Sequence, residues 1–290
     1  MQRRPAVVFK APEVFSLLDE PEKTIRFLKE LQDFARRRDV FVELGAVRSV
    51  TPDAIAVLIA IVTRISEHPH VQIRGNYPGG QLAMDTIRDS GFDQYLRSSL
   101  PSASPRGAIV KRDVLRDAKK ANPTLAQQLI DFAAAGGNRL RLKSAYSHLI
   151  ECMGNTHEHA APAIGSQRWW ASVFQDKERE CDCFTFVDMG VGIFNSIKLN
   201  KALQFLNWMH LSRTGVLRRL LLGNIQSRTE LNYRGRGLPS IYRSCRNGRI
   251  RRLTVVTNDV HADVDNNRYT RLSSGLKGVV LYWEVPHERC

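Results

Sequence analysis

A polar stripe along an otherwise apolar helical stretch constrains this chain more than any other feature. Tyr146 to Ala160 reads YSHLIECMGNTHEHA, with Leu149, Cys152 and Met153 supplying an apolar side and no proline before Pro162. Glu151, Asn155 and His159 recur at i, i+4 and i+8, so their side chains stack along one helical face. Burying a carboxylate, a carboxamide and an imidazole without partners is costly, so this stripe must line a cavity or a wet face. The helix alone leaves two readings open: a nucleotide site, or a polar surface.

The rest of the chain narrows the choice. Its 290 residues suffice for two domains or one large one. The longest near-continuous apolar run, Ala54 to Val62, is about half a membrane span, so no membrane-spanning helix is expected. The first residues, MQRRPAVVFK, carry Arg3 and Arg4 without the apolar stretch of a secretory signal, and the expected location is cytoplasmic. Cys152, Cys181, Cys183, Cys245 and Cys290 are too irregular for a disulfide framework, and free thiols are expected. The net charge of +14 is unevenly spread: Lys198 to Arg252 holds thirteen Lys or Arg and a single acid, Glu230. Such a field attracts polyanions, whether nucleotide phosphates, nucleic acid or anionic lipid.

Taken in order, Thr24 to Arg38 places Ile25, Leu28, Leu31 and Phe34 at helical spacing. Val40 to Leu44 is a short strand. Thr51 is a candidate N-cap before Pro52 at the first position of a largely buried helix. Val71 to Arg74 is a further strand, followed by a GNYPGG turn and a helix from Leu82 to Ser90 that stops at Gly91. Leu100 to Gly107, LPSASPRG, marks a linker, taken as 101–118 between domains at 1–100 and 119–290. Beyond it, the pattern predicts helices at Thr124 to Ala135 and at Leu203 to Leu222, the latter broken near Gly215. Strands are predicted at Trp169 to Phe174, Cys183 to Val187, Leu253 to Thr257 and Val279 to Val285.

Three glycine-marked stretches accompany the striped helix. Asp188-Met189-Gly190-Val191-Gly192-Ile193 follows strand CFTFV, where an acid at a strand end can accept from an exocyclic amine and the glycines let backbone approach a flat ligand. Arg234-Gly235-Arg236-Gly237-Leu238 enters the helix-like SIYRSCR, and a glycine-rich helix N-terminus offers N–H groups to an anion. Gly278 opens a strand that ends at Pro286. Each alone is compatible with an ordinary turn, and the second also with an RNA-contacting basic loop. His148, Cys152, His157 and His159 do not form a zinc set, because His157 points away and no second pair completes a tetrahedron. Trp169-Trp170 reads as core packing.

In this order the motifs over roughly 120–290 resemble the GHKL family of ATP-binding domains, the Bergerat fold of gyrase, heat-shock chaperones, histidine kinases and mismatch-repair proteins. ExxxNxxxH stands as Glu151, Asn155 and His159; DxGxGI as Asp188, Gly190, Gly192 and Ile193; GxGL as Gly235, Gly237 and Leu238. The threonine usual after the last glycine is replaced by Val279. The first hundred residues more loosely resemble the STAS fold of anti-sigma-factor antagonists, through VFVEL, VRSVTPDAIAVL, VQIRGN and SGFDQYL. The Asp-Ser pair that carries a phosphoserine in many members is Thr51-Pro52 here, which leaves a docking or dimerisation surface rather than a phosphorylation switch. The resemblances imply an α/β (α+β) protein: a STAS-like α/β domain followed by a GHKL two-layer α/β sandwich.

They also imply roles. Asn155 would be the side-chain ligand of Mg²⁺, and Glu151 would orient or deprotonate the attacking water. Asp188 would bind the adenine amine, with Gly190 and Gly192 giving the ring backbone access. Gly235 and Gly237 would cradle the phosphates of ATP, Ser227, Arg228 and Thr229 would begin a lid, and Arg228, Arg234 and Arg236 would meet the β- and γ-phosphates. The implied function is nucleotide-dependent regulation in bacterial signalling or defence, by ATP hydrolysis or by serine phosphotransfer of the anti-sigma kind, with a protein partner or a homodimer. A non-catalytic nucleotide-gated scaffold and a basic nucleic-acid-binding module are the alternatives. No phosphoacceptor-type helix precedes the domain, which argues against an ordinary histidine kinase.

Overall fold

Helical and strand periodicities alternate along the chain, and the structure is a mixed α/β one. The computed structural model describes residues 5–34, 38–66, 70–92, 107–111, 121–135, 139–159, 168–198, 211–224 and 237–287. Two compact units emerge: Met1–Ile109 with Ser273–Gly275, and Val110–Leu272 with Leu276–Cys290. No described helix is long and apolar enough to cross a membrane.

The first unit runs β1 (Val7–Lys10), β2 (Val14–Phe15), α1 (Pro21–Phe34), β3 (Val40–Glu43), β4 (Ser49–Val50), α2 (Pro52–Ser66), β5 (Ile73–Gly75) and α3 (Gln81–Asp89). Strands β1, β3 and β5 form a parallel sheet in that order, and β2 pairs with β4 in parallel. Parallel neighbours need crossovers, which α1 and α2 supply. Helix α1 begins at Pro21, earlier than the apolar periodicity shows, because proline suits a first turn whose N–H groups are unbonded anyway. Helix α2 is buried from Asp53 through Thr63, as an all-round apolar helix must be. Helix α3 gives way to Gly91 at φ 82°, a left-handed stop that glycine adopts without strain.

Sequence reasoning passed over Asp53. Its carboxylate is fully buried at the start of α2, where Oδ2 accepts from Leu17 N at 2.9 Å, and so fastens the segment that follows β2 to the helix. Burial pushes its pKa up from 3.8 to about 6, against the lowering effect of its hydrogen bonds. The native state therefore binds more protons than the unfolded one between those values, so stability falls as pH rises through the window. Asp53→Asn keeps an acceptor for Leu17 but cannot ionise. Denaturant titrations from pH 4 to 6 should show wild type losing stability on the order of 2 kcal/mol and the variant losing much less.

The second unit follows β6 (Gly107–Lys111), within which the division between units falls, with α4 (Pro123–Ala134), α5 (Arg139–His159), β7 (Trp169–Asp176), β8 (Cys181–Asp188), α6 (Ile193–Lys198), α7 (Arg213–Leu222), α8 (Gly237–Arg246), β9 (Arg251–Asp263) and β10 (Arg268–Pro286). The sheet order is β6-β7-β8-β10-β9, with β7–β8, β8–β10 and β10–β9 antiparallel. Helices α4 and α5 pack on β7, α5 also on β8, and α6, α7 and α8 on β9. Trp169 stacks with Phe186 at 5.9 Å and Phe184 with Trp283 at 5.6 Å on one face of this sheet, and both Trp169 and Trp170 are buried.

Several boundaries differ from expectation. The span 101–118, expected as a linker, contributes β6. Helix α5 starts at Arg139 because Leu142 and Ala145 continue its buried stripe upstream. Gly215 does not break a helix: it lies in the first turn of α7, where its N–H donates to the capping hydroxyl of Ser212 at 3.2 Å. Residues 203–210 lie outside the described residues. Cys152, Cys181, Cys183 and Cys245 are free thiols.

Candidate functional site

The striped helix carries two kinds of residue at once. Cys152 and Thr156 are buried, while Glu151 and Asn155, one step back along the chain, are half-buried. The 3.6-residue period turns the first pair toward β8 and sets the second pair beside them. Asp188, at the end of β8, is close enough that its carboxylate and that of Glu151, after burial itself, both push the Cys152 thiol pKa up.

Asp188 is held from three sides. Its Oδ1 accepts from Gly190 N at 2.6 Å, and a Cβ at residue 190 would fall 2.8 Å from that oxygen. Its strand neighbours are Trp169 on β7 and Val279 on β10. Gly278 has φ 118°, and a Cβ there would stand 1.8 Å from the Asp188 carbonyl oxygen, so no other residue fits without moving backbone. Burial pushes the Asp188 carboxyl up from 3.8 to about 7, against the lowering effects of Gly190 N–H and the Thr156 hydroxyl. A carboxyl poised near neutrality can accept from a ligand amine once it ionises.

The turn after Asp188 is clamped by two residues that sequence reasoning missed. Asn258, at φ 52° in β9, donates from Nδ2 to Val191 O at 3.0 Å and accepts at Oδ1 from Phe194 N at 3.3 Å. Its side chain lies 2.5 Å from where a Cβ of Gly192 (φ 81°) would be. Thr257 accepts from Ile193 N at 2.9 Å and donates to Gly278 O at 3.2 Å. It pairs across strands with Val279, and its hydroxyl is engaged in closing the glycine turn. The only sequence signal was the polar Thr-Asn-Asp end of an apolar strand.

The third motif meets the first. Gly237 opens α8, which packs on α5, and a Cβ there would lie 2.6 Å from Asn155 Nδ2 and 3.7 Å from Glu151 Cβ. The start of α8 thus packs against the Asn155 carboxamide and the stem of Glu151, and the N-terminal end of a helix is favourable for an anion. Leu238 is half-buried beside it. The structure brings together Glu151 and Asn155 with Gly237, and Asp188, Gly190, Gly192 and Ile193 with Gly278. Ser227, Arg228, Thr229, Arg234, Gly235 and Arg236, and the side chain of His159, lie outside the described residues.

The basic segment divides. Arg213 pairs with Asp259, and Arg251 and Arg252 with the buried Glu284 at 3.0 and 3.4 Å. Arg218, Arg243, Arg246 and Arg249 are exposed. Among the described residues, one further group gathers potential metal ligands, Cys181, Cys183 and Glu284 within 4.8 Å. Glu284 already receives Arg179 at 2.6 Å, Arg251, Arg252 and the Tyr282 hydroxyl at 2.8 Å, so protein cations complete its charge.

No protein-family model matches this sequence, and no curated protein matches it closely enough to count as a relative.

Gly278→Ala should cost on the order of 3 kcal/mol or more, since its Cβ meets backbone rather than a flexible side chain. Gly237→Ala meets most closely the Asn155 amide, the end of a side chain, and should leave the melting temperature within a few degrees of wild type. Thermal unfolding of the two variants side by side checks the contrast.

Proposed function

We propose that the second unit is a nucleotide-binding domain of the GHKL kind that takes ATP with Mg²⁺. The observation that carries this reading is the convergence of three sequence-distant motifs, with Gly237 against Asn155 and Glu151, and Gly278 against Asp188. Convergence of this kind is what a shared ligand demands and what an ordinary polar helix face does not.

The residues fit such a ligand. Glu151 Oε2 is a buried carboxylate oxygen with no hydrogen-bond partner, and glycine at 237 lets the start of α8 approach the Asn155 carboxamide closely. In this reading Asp188 accepts from the adenine amine, and Gly190 and Gly192 give the ring edge close access to backbone. The N–H groups at the start of α8 receive phosphate, and Asn155 offers its carboxamide oxygen to Mg²⁺, which when bound neutralises phosphate charge. Glu151 orients a water or takes its proton. The roles of Gly235, Arg236 and the lid residues Ser227, Arg228 and Thr229 belong to the same proposal. The first unit would serve as a STAS-like docking surface, with ATP turnover or phosphotransfer resetting a partner contact.

Titration calorimetry with MgATP on the full chain is the direct test. Asp188→Asn should lose binding by at least about tenfold, whereas Glu151→Ala should bind as wild type does and release no phosphate. Equal ATP affinity in wild type and Asp188→Asn would sink the reading. Equal background rates in wild type and Glu151→Ala would leave a scaffold without catalysis.

The Asp188 carboxyl, up at about 7, adds a pH dependence. The amine requires the ionised form, so affinity for adenosine, which has no titrating phosphate, should rise as pH increases from 6 to 8. Binding should release a proton, visible as a heat that changes with the buffer's ionisation enthalpy. A flat profile would remove Asp188 from the base-binding role.

A further inference from the structure

We propose that His148 is a positioning residue for Glu151, holding its carboxylate through an Nδ1–H donor; the catalytic consequence rests on the nucleotide-binding reading above. The two side chains stand at i and i+3 on α5, and so share a helical face. His148 is only 2% exposed, and its Nδ1 lies 4.0 Å from Glu151 Oε2. Both imidazole nitrogens and Glu151 Oε2 are buried without a hydrogen-bond partner. A neutral imidazole has one N–H to give and one bare nitrogen to offer, and leaving both unused away from water costs free energy. Nδ1 and Oε2, both without partners and 4.0 Å apart across a single helical turn, point to a contact the fold keeps in reserve.

The partners differ in freedom. Trp283 meets His148 edge to face at 6.3 Å and 89°, and is itself stacked on Phe184 at 5.6 Å and 6°. The imidazole therefore stands against an aromatic wall in a central strand and has little room to turn. The Glu151 side chain is 34% exposed, and is the one that can swing. At 4.0 Å the pair is too far apart for a hydrogen bond, and a modest rotation of the glutamate closes it. Hydrogen bonds that serve catalysis commonly tighten only when substrate is bound. Once closed, Nδ1–H donates to Oε2 and leaves the other carboxylate oxygen directed to the exposed side, toward the start of α8. A base fixed by a third group in this way is held in its productive direction.

The test combines a spectrum with kinetics, both on the full chain. In protein labelled with ¹⁵N-imidazole, the His148 signals are assigned by their loss in His148→Phe. The Nδ1 nitrogen should carry the proton, and its shift should move in Glu151→Gln. A bare Nδ1, or a signal indifferent to Glu151→Gln, overturns the coupling. In turnover, His148→Phe should lower kcat about tenfold to a hundredfold with KM for ATP unchanged. His148→Asn, whose amide nitrogen reaches near the Nδ1 position, should recover most of it. Adding His148→Phe to Glu151→Gln should lower the rate no further. Wild-type kcat in His148→Phe, or an equal loss in both backgrounds, overturns the positioning role, as does a wild type that binds ATP without turnover. A wild type that fails to bind ATP overturns the nucleotide reading instead, and the imidazole spectrum still decides whether His148 and Glu151 are coupled.

Discussion

The carbonyl oxygen of Asp188 occupies the space in which residue 278 would carry a Cβ, at a nominal 1.8 Å. Much of the second unit depends on that approach. It brings β10 against the end of β8, puts Val279 opposite Asp188 on one side and opposite Thr257 on the other, and lets the Thr257 hydroxyl reach both Gly278 O and Ile193 N. The glycine turn after Asp188 is thus closed from the neighbouring strands, and its shape does not rely on the glycines alone. Asn258 completes the clamp from a left-handed position, at φ 52°, that asparagine tolerates better than most residues.

Charge is arranged with the same economy. Glu284 is fully buried, yet Arg179, Arg251, Arg252 and Tyr282 surround it, so both of its carboxyl oxygens are met by donors. Asp259 likewise gathers Arg213 and Arg271, and its carboxyl is held below the usual range by those guanidiniums despite an opposing effect of burial. Asp188 is the contrast. It receives one backbone N–H and a hydroxyl but no cation among the described residues, and burial drives it up to about 7. Glu284 and Asp259 are met by arginines, whereas Asp188, like the buried Asp53 of the first unit, is raised by burial.

Much of this site was legible because its residues are conspicuous by type. Glu151 and Asn155 mark a polar stripe, Asp188 ends an apolar strand, and Gly190, Gly192, Gly237 and Gly278 stand where side chains would collide. The residues missed are those whose type is ordinary. Thr257 and Asn258 read as the end of a strand, and only a cross-strand register turns them toward the glycine turn. His148 read as one histidine among several, because burial and the lack of partners are not written in sequence. Strands β1, β2 and β6 are too short or too close to loop residues to stand out by periodicity. Strands β9 and β10 run far beyond their apolar segments because hairpin pairing, with its bulges, sustains them where side-chain patterning does not.

Helix α5 joins these levels. Its Leu142, Ala145, Leu149, Cys152 and Met153 bury against the unit's core, so the helix has little freedom to slide along the sheet. Glu151 and Asn155 sit within that same register, and their positions toward Gly237 are fixed by apolar neighbours. Cys152 and Thr156 look toward Asp188 from the same turn. A displacement of α5 by a fraction of a turn would shift the carboxamide, the carboxylate and the environment of Asp188 together. The separate parts of the site are therefore coupled through one helix, and a change felt at α8 or at the glycine turn has a short physical route to the other. The polar stripe is costly only for a helix considered alone; set between a rigid aromatic sheet and the open end of α8, it is what links the two.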